Sequence, residues 1–180
     1  IQGEWAPLSS VPFQLAWRDA GGPGKTVYSF DEAQNAIYVF FDESDSKVTF
    51  ELNYVVKDAV QAYSDVGELY WQFVGSQWEE SSSNVSLTVT LPVPSNVVVK
   101  PGETIRAWGH GPLDATVNIA NDGTVTYEVP HVDAGSYAEA RIVFPTEWLT
   151  GIISSDNNAH FSTAHLETAL NEERTWSDRA

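Results

Sequence analysis

Apolar and polar residues alternate one by one along most of the chain as far as residue 144, and this period of two constrains the fold more than any other feature. A strand points successive side chains to opposite faces, so such text builds sheets with one face in a core. In VPFQLAW, Val11, Phe13, Leu15 and Trp17 share a face. In KVTFELNYVV, Val48, Phe50, Leu52, Tyr54 and Val56 do so, and in VSLTVTLP, Val85, Leu87, Val89 and Leu91. ELYWQFV sets Leu69, Trp71 and Phe73 against Glu68, Tyr70, Gln72 and Val74, and a face so large and apolar belongs between sheets. AEARIVFP turns Ile142 and Phe144 inward and Glu139, Arg141 and Val143 the other way.

Shorter strands are predicted at 26–30, 36–41, 96–100 and 103–108. LDATVNIA and TVTYEVP flank Asn121-Asp122-Gly123, a hairpin signal because Gly accepts positive φ. About ten strands separated by Gly, Pro and Asp/Ser turns predict an all-β fold, an antiparallel β-sandwich.

The period changes in the tail. From Ser162 onward Leu166, Ala169, Leu170 and Trp176 fall near helical spacing, with Ser162 or Thr163 as cap and Arg174 and Arg179 late, matching the helix dipole. The expected organisation is a sandwich over 1–160, closed by a GIISSDNNAHF loop, and a C-terminal helix over 161–180. That helix either forms a stalk or lays its Leu166/Leu170 stripe on the sandwich.

Hydrophobic residues make up 42% of 180, enough for a sizeable core. The 25 acidic residues outnumber 9 basic ones for a net charge of −16, a field that repels phosphate backbones and excludes nucleic acid as a partner. Without Cys there is neither a disulfide nor a thiolate metal site. Without Met the chain does not begin at an initiator residue, so any leader would precede it. No apolar run is long enough to cross a bilayer.

Chemistry-bearing patterns are sparse. His110, His131, His160 and His165 lack metal-ligand spacing, and no H-E-x-x-H or G-x-S-x-G occurs. Asp42, Glu43 and Asp45 could offer oxygens to calcium, but the run lacks the Gly and distant Glu of a helix–loop–helix calcium site, so a solvated turn is expected; Asp156-Asn157-Asn158 has the same standing. WGHGP contains no Lys and opens no helix, which leaves a phosphate loop unsupported. Asn84-Val85-Ser86 fits a glycosylation sequon, relevant only in a eukaryotic secretory setting. No cofactor, metal or catalytic residue is expected. The candidates for ligand contact are Trp78, outside the alternation in a turn before Glu79 and Glu80, and Trp108.

One combination is distinctive: Tyr54 on a strand, then Leu69-Tyr70-Trp71, Gly75, Trp78 and a strand ending Leu91-Pro92, with Phe144-Pro145 later and Asn171-Glu172-Glu173-Arg174-Thr175-Trp176 at the close. It resembles the N-terminal extracytoplasmic part of the bacterial predicted membrane proteins grouped as domain of unknown function 2207. The resemblance implies a secretory signal upstream, a membrane anchor downstream and display outside the cytoplasmic membrane; it carries no activity or catalytic residues. The leading expectation is therefore a non-catalytic extracytoplasmic interaction or assembly domain, with a protein or cell-envelope partner and membrane contact only through a segment beyond this chain. The alternative is a carbohydrate-binding module using exposed rings, and a third is a wall-directed hydrolase using two carboxylates.

Overall fold

The computed structural model describes residues 6–19, 21–43, 45–150 and 161–178. The chain divides into two compact units, Ile1–Tyr54 and Val55–Ala180.

In the first unit, β1 (Val27–Asp31) and β2 (Ala36–Phe40) form an antiparallel hairpin. Buried Asp31 organises its turn by accepting hydrogen bonds from the Ala33 and Gln34 amides while pairing with Arg18. The alternation in VPFQLAW predicts a strand, but Leu15–Arg18 is a 3₁₀ turn. A bridge from Ser10 to Tyr28 attaches this segment to β1 before it curls. Curling suits the rings: four apart, Phe13 and Trp17 reach Tyr38 and Phe40 of β2 at 5.3 and 5.2 Å. KVTFELNYVV likewise belongs to no ladder. Period two reports which side chains face together; a strand also needs a neighbour to take its amides and carbonyls.

The second unit holds seven of the nine strands found among the described residues. β3 (Val60–Ala62), β4 (Val66–Val74), β9 (Ala138–Pro145) and β6 (Arg106–His110) form one antiparallel sheet in the order β3-β4-β9-β6. β5 (Ser82–Thr90), β8 (Thr124–Val132) and β7 (Thr116–Ile119) form a second in the order β5-β8-β7. The β7–β8 hairpin turns where the Asp-Gly signal places it: Gly123 has φ +86°, and Asp122 Oδ1 accepts from the Thr124 amide at 2.9 Å.

The sheets meet over a core in which Leu69, Ile142 and Phe144 of one face Leu87, Val125 and Tyr127 of the other. The sandwich predicted from the alternation is thus present. In the aromatic stretch Leu69 and Phe73 join that core, and Trp71 is half-buried on the same face, opposite Ala140. NVVVK forms no strand, although its Val97 and Val99 still pack into the core as alternate residues. The 103–108 strand begins only at Arg106.

The one α-helix among the described residues, α1 (Leu166–Ser177), covers the outer face of the four-stranded sheet. Its contact stripe is Leu166, Ala169, Glu173 and Trp176, three or four apart as helix geometry requires. The cap differs from expectation. Neither Ser162 nor Thr163 supplies it: Asp65, in the turn between β3 and β4, accepts from the His165 and Leu166 amides at 2.8 and 3.1 Å. A carboxylate there also meets the positive end of the helix dipole. The predicted GIISSDNNAHF loop, His160 and Asp156-Asn157-Asn158 lie outside the described residues.

Candidate functional site

The outer face of the four-stranded sheet concentrates the polar chemistry. On β9, Arg141 points away from the sandwich core, yet α1 buries it to 3% exposure. Its Nε donates to Glu68 Oε1 of β4 at 2.6 Å, Nη1 to Glu173 Oε1 of α1 at 3.0 Å, and Nη2 reaches Glu172 Oε2 at 2.7 Å. The guanidinium also lies 5.2 Å from the Tyr70 ring. Glu173 accepts a second hydrogen bond, from His110 Nε2 at 2.9 Å. Tyr70 OH donates to Glu139 Oε2 and lies 3.2 Å from both that oxygen and His110 Nδ1.

At the other end of the helix, His165 Nε2 sits 3.2 Å from Glu68 Oε2, and its ring stacks on Tyr63 at 3.9 Å. Among the described residues no buried side-chain nitrogen or oxygen lacks a partner. Such completeness keeps the cost of burying charge bearable.

The network shifts its members' ionisation in consistent directions. Burial pushes the Glu173 carboxyl up, but hydrogen bonds from His110 and Arg141, and their charges, outweigh it and hold the group below its ordinary value. Burial would release the Arg141 proton more easily; the bonds to Glu68, Glu172 and Glu173 win and raise it instead. Tyr70 is pushed up to about 12 by burial and by the Glu139 charge beside it. Asp65 stays below the usual carboxylate range, because the His165 and Leu166 amides overcome its partial burial.

Beside the network a groove of about 440 Å³ runs between the last turn of α1 and the β6–β7 connection, lined among others by Trp108, Leu113, Val117, Tyr137 and Trp176. Trp176 stacks on the His110 ring at 5.2 Å. Gly111 makes one wall possible: its φ is +129°, and a Cβ there would stand 2.4 Å from the Tyr137 carbonyl oxygen.

The two tryptophans singled out from the sequence are not in one place. Trp108 lines the groove and packs toward Val66, Val143 and Ala169. Trp78 is 62% exposed in the turn between β4 and β5, where its carbonyl accepts from the Gly135 amide at 2.8 Å. Asp42, Glu43 and Asp45 belong to no strand or helix, and Glu43 accepts from Ser46 at 3.2 Å. No group of three or more His, Asp and Glu able to hold a metal occurs among the described residues.

The Glu68–Arg141–Glu173–His110 network is not predicted from the sequence. Alternation assigns Arg141 to the face opposite Ile142 but does not say that a helix covers that face. Glu173, seven residues after Leu166 and so on the same helix face, is the one available signal.

A family model described as "Predicted membrane protein (DUF2207) N-terminal domain" matches residues 10–144. No curated protein and no solved structure matches the chain. No helix among the described residues is long and apolar enough to cross a membrane.

Proposed function

The chain belongs to the DUF2207 N-terminal-domain family of predicted membrane proteins, and on that premise we propose that it is a non-catalytic interaction or assembly domain displayed on the extracytoplasmic side of the membrane. The observation that carries this reading is the use to which the charged groups are put. Arg141, Glu68, Glu173 and His110 spend their polar atoms on one another, holding α1 to the sheet. A general acid or base needs a substrate proton within hydrogen-bond reach. Here the reachable atoms belong to the fold itself, so the network acts as a lock that makes helix and sandwich one body.

The test uses the membrane-embedded parent, with a topology reporter inserted after this domain and a photo-crosslinking residue at Leu113 or Trp78. Reporter activity outside the cytoplasm together with a discrete protein crosslink is the expected result. A reporter active only in the cytoplasm overturns the localisation, and absence of any crosslink from either position overturns the interaction role.

A second reading, carbohydrate binding, is favoured by the exposure of Trp78 beside exposed Gln77. Tryptophan emission titrated with wall and capsular glycans tests it. A shift that Trp78→Ala abolishes supports it, and an unresponsive spectrum removes it.

A further inference from the structure

The groove at the end of α1 is lined by aromatic rings, aliphatic groups, one carboxylate and the imidazole of His110, which is held on that carboxylate; among the described residues no Lys or Arg lines it. We propose that it receives an alkylammonium group, the side chain of a lysine on a partner polypeptide. This deepens the interaction role proposed above, which is the reason a polypeptide supplies the amine.

Three features converge on that chemistry. Trp108, Tyr137 and Trp176 line the groove, and ring faces attract a cation placed over them. Glu173, Trp176 and Ser177 bring the C-terminal turn of a 12-residue helix to its edge, where the helix dipole is negative. The adjoining network also holds more carboxylates than cations: Glu68, Glu172 and Glu173 surround the guanidinium of Arg141, Glu139 lies beyond Tyr70, and among the described residues the only other groups facing them that can carry positive charge are His110 and His165. In a chain of net charge −16, a cation entering here meets more negative than positive charge.

Other occupants fit less well. A bare metal ion needs several oxygen ligands, and among the described residues Glu173 is the only carboxylate in the lining. A sugar needs free polar partners, whereas His110 and Glu173 are already bonded to each other and to Tyr70 and Arg141. A lysine brings one compact charge and a four-carbon stem. Leu113 and Val117 provide an apolar wall for that stem, Leu113 being 86% exposed and without other employment in the core.

The experiment follows the indole N–H resonances of the ¹⁵N-labelled chain during titration with N-acetyl-lysine-N-methylamide. Its ε-acetylated counterpart and methyl glucoside are titrated in parallel. Saturable shifts of Trp108 and Trp176 with the charged probe alone are expected. Trp176→Ala should weaken the affinity roughly tenfold. Leu113→Lys, at a surface position, should abolish binding by filling the site with its own ammonium while leaving the remaining spectrum in place. Equal shifts with the acetylated probe would make the groove merely apolar and overturn the inference. So would a response to the glucoside alone, or no shift at all. If crosslinks from Leu113 persist in the parent when the probe fails, the interaction role stands and only the lysine assignment falls.

Discussion

The four-stranded sheet is covered on its inner face and, in part, on its outer face, by opposite chemistry. Its inner face is closed by Leu69, Ile142 and Phe144 against the second sheet. Its outer face is closed by α1 through Arg141, Glu68 and Glu173, flanked by a small apolar patch of Val66, Val143 and Ala169. The inner face gains free energy in proportion to area removed from water and asks only for shape. The outer face gains only if every charge keeps its partner, since a buried pair balances a large desolvation cost against a large attraction. The first arrangement degrades gradually under mutation; the second fails when one member is lost.

That contrast can be broken at its centre. Arg141→Met leaves Glu68 and Glu173 buried without the guanidinium they share, with only His165 and His110 beside them among the described residues, and should cost about 3–5 kcal/mol in denaturant unfolding, enough to detach α1. Ile142→Ala, the next residue and on the other face, opens a cavity instead. It should cost about 3 kcal/mol, with the helical signal persisting until the sandwich itself unfolds.

Acidification attacks one face only. Glu173 and Asp65 both have lowered values in the folded state, so the stability they contribute is present above the unfolded values of 4.5 and 3.8 and is lost as pH falls through the folded ones. Between about pH 5 and 3, amide exchange in 166–177 should therefore accelerate before exchange in β4 and β9 does.

Asp65→Ala removes only the cap and should cost about 1 kcal/mol, read as faster exchange at the His165 and Leu166 amides. The combined Glu68→Leu, Arg141→Met and Glu173→Leu replacement should bring stability back to within about 1 kcal/mol of the parent, because the buried guanidinium and its two buried carboxylates leave together while His110 keeps Glu139 and Tyr70 and His165 keeps the Tyr63 ring. A large residual loss would show that the ionic lock is a net source of stability and not a device for orienting the helix.

The inner face is legible from the order of residues alone. Leu69, Phe73, Ile142 and Phe144 declare themselves by alternation, and Asp122-Gly123 declares its turn, because both signals are local. The same rule misleads at Val11–Trp17 and at Val48–Val56, where alternating residues form no ladder. Alternation fixes which side chains point together, but not whether another strand lies alongside to complete the hydrogen bonds. The groove is half-legible: Trp108 is a ligand candidate and Trp176 falls on the helical stripe, but nothing local ties Trp176 or Tyr137 to the groove.

The sequence by itself determined an acidic, cysteine-free β-sandwich with a terminal helix, and it carried the marks of the family to which the chain belongs. Only the tertiary structure decided that α1 lies on the sheet, that Asp65 caps it from 100 residues away, and that Arg141 is shared between Glu68 and Glu173. The physical reason is range. Side-chain periodicity and turn chemistry act over a few residues, whereas a buried charge is defined by partners brought from distant strands and a helix, and the order of residues does not state that meeting.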